Sequence, residues 1–401
     1  MREVVVAVLM ATACWAQPAE NRDVAELAAG QARFALDFYG RQAKTDNLFY
    51  SPYSIASAFA MTHGGARGET AAQMARVLGF TLPPARLGPA CAALAKELAA
   101  REAARRGQEG FKLRVANALW GQEGYAFLAP FLAGCQEHYG AGLRHVNFAA
   151  DTEQARRTIN GWVSKETNDR IKDLVPAGVL TALTRLVLTN AVYFLAPWDK
   201  PFEKHATQDA PFTTLAGAKA SVPMMHQTET HGYARGEGWQ AVELRYAGRQ
   251  LAMTVLVPDA GQFAAVSNGL DAARFAAVTG ALKPARMNLG LPRFTVESSL
   301  NLGDALRALG MKDAFDQTKA DFSGMDGTRN LYIQAALHKA FVKVDEAGTE
   351  AAAATAIAVG VRSMPAPPSV KLIIDRPFVL AVRDLPTGAI LFLGRVTAPK
   401  A

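Results

Sequence analysis

Residues 346–363 constrain this chain more than any other stretch: Glu346-Ala347-Gly348-Thr349-Glu350-Ala351-Ala352-Ala353-Ala354-Thr355-Ala356-Ile357-Ala358-Val359-Gly360-Val361-Arg362-Ser363. Four consecutive alanines favour helix by intrinsic propensity. No stripe of large apolar residues accompanies them, so such a helix would bury almost nothing. Taken as a strand, the run sorts Thr349, Ala351, Ala353, Thr355, Ile357, Val359 and Val361 onto one face, with Glu350 and further small groups on the other. No proline interrupts it before Pro365, so each backbone N–H is free to join a ladder. The run follows a strand candidate, Leu331 to Val344, and carries its one basic residue, Arg362, at its far end. It is composed like a strand that must enter a sheet; an Ala-rich exposed linker is the alternative.

The rest of the chain sets the frame around this segment. At 401 residues and 50% hydrophobic content it can bury a large core, and nothing in it suggests disorder. Apolar residues at three and four spacing predict helices over Val24 to Tyr39, Ser54 to Met61 and Glu69 to Leu78, with Gly64, Gly65 and Gly68 marking a turn. An Ala/Leu-rich helix is expected from Pro84 to Arg106 and another over Thr152 to Glu166. Strands are expected at Phe111 to Trp120, Leu183 to Phe194, Val242 to Leu244, Leu251 to Val257 and Met287 to Val296. Phe378 to Val382 and Ala389 to Val396, joined by Asp384 to Gly388, read as a hairpin. Helices first and strands later, with helices interspersed, predict a mixed α+β domain.

Several function classes drop out on composition and motif. The net charge of +7 is scattered rather than clustered with aromatics, so no nucleic-acid partner is expected. The sequence holds no His-Glu-x-x-His helix, phosphate loop, Gly-x-Gly-x-x-Gly turn or Gly-x-Ser-x-Gly elbow, and its seven histidines are dispersed. Neither an enzyme nor a metal site is expected. Arg2, the apolar Val4 to Met10 and small residues to Ala16 read as a signal peptide over residues 1–16, with Cys14 as an alternative lipoprotein site. The expected location is therefore extracellular, periplasmic or lipid-anchored through Cys14, without a membrane span. Cys91 and Cys135 are too few for a disulfide framework; two buried free thiols are expected, and pairing stays open.

An ordered set of motifs across nearly the whole chain resembles the serpin family. Asn47 to Ile55 looks like the entry to the family's second helix, and Gly65 to Thr70 with Gln73-Met74 like the turn after it. Thr189 to Phe194, Trp198, Phe202 and Phe212 resemble a central-sheet strand and its exit. Leu291 to Phe294, His338-Lys339-Ala340, Asp375 to Phe378 and Gly394 to Val396 complete the series. The resemblance implies one serpin domain over residues 22–401, with three β-sheets, eight to nine helices and an exposed reactive-centre loop at 346–370. It makes Glu346, Gly348, Thr349, Ala351, Ala353 and Thr355 the hinge and places the reactive bond at Arg362-Ser363. Ala347 departs from the family pattern, standing where many inhibitory members carry a charge.

By the same resemblance the protein is a suicide inhibitor of trypsin-like serine proteases, acting as a monomer and consumed in the reaction. The enzyme would form an ester at Arg362, and the loop would insert as a strand of the central sheet. Fourteen residues separate Gly348 from Arg362, a displacement of about 45 Å at about 3.3 Å per residue. Ser51, Ser54, Asn190 and His338 match the polar shutter beneath the central strands. Trp198, Arg293 and Glu346 match the breach at the top, with Arg293 where Lys is common. Arg86, Lys96, Arg101, Arg105, Arg106, Lys112 and Arg114 are similar to the glycosaminoglycan site of some members, so a polyanion such as heparin is a candidate cofactor, against the plain reading of a solvated helix with i, i+4 pairs. A non-inhibitory serpin, a carrier or chaperone cleaved as substrate, is the alternative.

Overall fold

Apolar spacing in the first third does fold as helices. In the computed structural model the described residues are 19–42, 45–102, 111–140, 142–349 and 369–400. The leader, and Ala351, Ala353, Thr355, Arg362 and Ser363 of the loop, lie outside them. Helix α1 (Ala19–Arg41) buries Phe34, Phe38 and Tyr39, and the short strand β1 (Leu48–Tyr50) follows. Helix α2 (Pro52–His63) starts where the Ser51 hydroxyl accepts from Ser54 N at 3.0 Å and Pro52 supplies a preset first turn. Helix α3 (Gly68–Leu78) ends on Gly79 at φ 71, a left-handed cap suited to glycine. Next come α4 (Pro84–Glu102), β2 (Lys112–Gln122), α5 (Ala129–Tyr139), β3 (Arg144–Val146), α6 (Thr152–Glu166), capped by Asp151, and β4 (Leu186–Pro197).

The second half carries β5 (Gln208–Thr213), β6 (Lys219–Gly236), β7 (Trp239–Arg245) and β8 (Leu251–Pro258), then α7 (Phe263–Asn268) and α8 (Ala272–Gly280). It continues through β9 (Lys283–Pro292), β10 (Phe294–Asn301), α9 (Leu302–Leu309), α10 (Ser323–Asp326), β11 (Ala335–Val344) and β12 (Gly348–Thr349). β13 (Val370–Ile373), β14 (Phe378–Asp384) and β15 (Ile390–Val396) close the chain. Met287 to Val296, expected as one strand, breaks at Arg293 because β9 belongs to one sheet and β10 to the other. Leu183 stays outside β4, 76% exposed. Ten α-helices occur among the described residues, the count raised by the six-residue α7 and four-residue α10.

Two hydrogen-bonded networks hold the strands. One runs β1-β15-β14-β8-β7-β6-β9-β13, with β5 on β6. The 18-residue β6 pairs with β5, β7 and β9 and keeps this network one continuous sheet. The other network has β4 and β11 parallel at its centre, in register from Val187↔Ala335 to Tyr193↔Phe341, flanked by β2–β3 and by β10. The apolar core lies between the networks, where Phe392 stacks on Phe49 at 4.9 Å and meets Phe194 at 5.5 Å. On the opposite face of β2, β4 and β11, helix α6 covers a smaller cluster containing Trp120, Ile159, Val187 and Leu337.

Candidate functional site

Above Phe341 and Tyr193 the parallel pair β4 and β11 parts, and β12 fills the wedge. Thr349 pairs antiparallel with Val344 of β11 on one side and Ala196 of β4 on the other, and Gly348 lies opposite Pro197. Gly348 has φ 155, and a Cβ there would stand 2.1 Å from the Ala196 carbonyl oxygen, so only glycine fits this close approach. Gly348 and Thr349 thus form a short rung seated between the two central strands.

A cluster of side chains fixes this seat. Trp198 N donates to Ala347 O at 2.9 Å and its indole Nε1 to Asp345 O at 3.0 Å. Tyr246 stacks on Trp198 at 4.6 Å and shares a 2.7 Å hydrogen bond between its hydroxyl and Thr349 Oγ1. Glu346 is buried, and Arg293 turns both Nε, at 2.7 Å, and Nη2 onto one carboxylate oxygen, which Thr207 Oγ1 also donates to. Burial pushes the Glu346 carboxyl up, but the bonds from Arg293 and Thr207 outweigh it and hold it below its ordinary value. The structure therefore brings Trp198, Arg293 and Glu346 together as expected, and adds Thr207 and Tyr246. Neither addition has a local sequence signal: Thr207 comes from the residue before β5 and Tyr246 from the residue after β7, both far from the 345–349 segment in sequence.

Lower down, beneath the paired part of β4 and β11, lies the second cluster. His338 Nε2 accepts from Ser51 N at 3.2 Å, which leaves Nδ1 to carry the proton towards Asn190 Oδ1. Asn190 Nδ2 donates to Ser54 Oγ at 2.6 Å and to Asn117 Oδ1. Asn117 Nδ2 in turn donates to Ser54 O at 3.1 Å, and Ser51 Oγ to Leu391 O at 2.7 Å. All four expected residues meet in one network. Asn117 was missed; its signal is an amide between Ala116 and Ala118, directly opposite Asn190 in the β2–β4 register. Burial alone lowers the His338 pKa to about 3, so the ring is neutral.

Basic residues near α4 are engaged by acids. Arg86 pairs with Asp23, and Arg114 with Glu102 at 2.8 Å. Arg101 turns inward, 10% exposed, between Glu97 and the fully buried Asp384. Lys96 and Lys112 face solvent, and Arg105 and Arg106 lie outside the described residues. Cys91 and Cys135 are both free and buried, their thiols pushed up to about 12 by burial.

The two central parallel strands part at their upper ends and seat Gly348 and Thr349 between them. The profile of the serpin (serine protease inhibitor) family matches residues 29–399, and the chain belongs to that family. The human leukocyte elastase inhibitor is 38% identical over 389 residues, covering 93% of this chain and 100% of that protein. A serpin-like protein of Thermococcus kodakarensis is 38% identical over 369 residues, covering 92% and 84%. Among solved structures, uncleaved ovalbumin superposes with TM-score 0.83 at 27% identity, over 93% of this chain and 100% of that one. Native tengpin, a thermophilic serpin, gives 0.82 at 29%, over 92% and 94%.

These relatives overturn the placement outside the cell. Leukocyte elastase inhibitors from human, cattle and pig, which are intracellular serpins, are each matched along 100% of their length while covering 93% of this chain. Secretion, a periplasmic site and a lipid anchor at Cys14 are withdrawn. Among the described residues no helix is long and apolar enough to cross a membrane.

Proposed function

We propose that this serpin is a consumed inhibitor of trypsin-like, arginine-directed serine proteases, with Arg362-Ser363 as the bond offered for attack. The seat of Gly348 and Thr349 between β4 and β11 carries this reading, because the residues that follow are small and free of proline. A protease with an acidic specificity pocket takes the Arg362 guanidinium through charge-assisted hydrogen bonds. Its serine oxygen bonds to the Arg362 carbonyl carbon, and the Ser363 amine leaves with the proton handed over by the enzyme's histidine. The severed segment then continues the ladder below Thr349, forcing β4 and β11 apart down their paired length. An enzyme still esterified to Arg362 travels about 45 Å at about 3.3 Å per residue before water can release it.

In this reading Trp198, Arg293 and Glu346 hold the first rung, and Ser51, Ser54, Asn190 and His338 form the network that must rearrange as the strands separate. Of the basic residues on and near α4, Arg86, Arg101 and Arg114 are engaged by Asp23, by Glu97 with Asp384, and by Glu102. Relatives named for elastase favour a second target class, with a small pocket for apolar side chains; Val359 and Val361 are the residues it would take. Denaturing gels after mixing with trypsin or with elastase separate the two. An SDS-resistant band at the summed mass with trypsin, absent in Arg362→Ala, is expected. Such a band with elastase alone moves the target class, and clean cleavage without a band from either leaves a non-inhibitory carrier or chaperone.

A further inference from the structure

Behind Trp198 the two strand networks meet at a cavity that the inhibitor reading does not use. Strand β7 pairs with β6 as far as Glu243↔Gly232 and then changes partner. Asp199 N, just beyond β4, donates to Arg245 O at 2.9 Å, and Trp198 bridges Tyr246. Where β7 switches from one network to the other, the side chains leave a cavity of about 400 Å³. Trp198 and Lys200 wall it on the β4 side and His231 on the β6 side; Leu282 adds an apolar surface. The half-exposed Arg245 and Arg249 stand at its rim.

Charge around the cavity is unbalanced. Three carboxylates already have cations: Asp199 holds Arg249 at 2.9 Å, Glu229 holds Lys200 at 2.5 Å, and Glu243 holds Arg383 at 2.6 Å. Arg245 is a fourth cation and, among the described residues, reaches only the engaged Glu243, at 3.6 Å. His231 is 8% exposed, and its Nε2 makes no hydrogen bond. Burial holds this ring neutral, with its pKa lowered to about 4, so Nε2–H can serve as a donor. A surplus guanidinium beside a buried imidazole nitrogen without a partner, which donates in one tautomer, is the pattern that an anion completes.

We propose that this cavity binds a small organic dicarboxylate, one carboxylate on Arg245 and Arg249 at the rim and the other on Lys200 and, after a turn of the ring about Cβ–Cγ, on His231 Nε2–H. The aliphatic body rests against Leu282. A cavity of this volume is about 9 Å across if round, which suits four-carbon diacids, and planar guanidinium forks match carboxylates. The ligand would tie Trp198–Lys200, which extend the sheet that must open, to strands of the other network. Resting on the function proposed above, occupancy would brace Trp198, whose backbone and indole hold Ala347 and Asp345, and so slow the advance of the hinge.

Calorimetric titration of the intact protein with succinate tests the site without a protease. One-to-one saturable binding is expected, weakened at least tenfold in Arg245→Gln and in His231→Asn, with inorganic phosphate at least tenfold weaker than succinate. Absence of succinate binding overturns the proposal, as does binding unchanged in both variants or phosphate binding as tight. The yield of SDS-resistant trypsin complex, with and without saturating succinate, then reads the brace: a lower yield is expected, and an unchanged yield removes the coupling. A chain that binds succinate yet never forms the complex sinks the inhibitor reading and keeps the site; the converse sinks the site alone.

Discussion

Lowering the pH from 7 to 5 loads the network beneath the central strands through one ring. His338 Nε2 accepts from the Ser51 N–H, so a second proton would set donor against donor in a site that burial makes hostile to charge. The unfolded chain takes that proton below the ordinary pKa of 6.5, whereas the folded chain resists it down to about 3. The stabilising contribution is therefore complete above 6.5 and is lost as pH falls from 6.5 towards 3. At pH 5 the gap is about 1.5 pH units, or about 2 kcal/mol at about 1.36 kcal/mol per unit. His231, lowered to about 4, has the same sign and a similar size over this range, so pH alone does not isolate His338. Urea unfolding of the native protein and of His338→Gln at both pH values does. The native protein is expected to lose about 2 kcal/mol more than the variant between pH 7 and pH 5; equal losses would refute the assignment of a neutral, donor-facing imidazole.

Three further outcomes are expected. Gly348→Ala places a Cβ 2.1 Å from Ala196 O and 2.7 Å from Pro197 Cα, so the hinge must withdraw; a cost of about 1–3 kcal/mol in urea unfolding is expected, and a native midpoint counts against the seat. Tyr246→Phe keeps the stack on Trp198 but leaves the buried Thr349 hydroxyl unpaired, lowering stability by about 1–2 kcal/mol with the indole fluorescence maximum unchanged. Arg101→Met leaves the fully buried Asp384 without its guanidinium and costs about 3–5 kcal/mol by the same measurement.

Sequence and structure agree best where the signal is local. Helix α6 begins and ends at the residues its periodicity marks, with Asp151 as the cap, and the C-terminal hairpin turns at Asp384 to Gly388 as read. The motifs single out Ser51, Ser54, Asn190 and His338, which meet in one hydrogen-bonded network. Asn117 escaped because its role depends on cross-strand register with a residue 73 positions away. Thr207 and Tyr246 escaped because their partners Glu346 and Thr349 lie more than 100 residues away in sequence. Arg101 and Glu97 do form the expected helical pair, yet Asp384, distant in sequence, decides that the guanidinium faces inward. The pairing of Arg293 with Glu346 was legible; that both donors converge on one oxygen was not, because Thr207 shapes that corner.

Insertion makes the segment after Thr349 a strand between β4 and β11. Cleavage at Arg362 by a trace of trypsin, followed by thermal unfolding monitored by circular dichroism, tests it most directly. Thirteen residues, Glu350 to Arg362, gaining ladder partners on both sides, at about 1 kcal/mol per net hydrogen bond, raise the melting temperature by about 15 °C. A cleaved chain that melts at or below the temperature of the intact one would show that the segment stays out of the sheet and would contradict insertion.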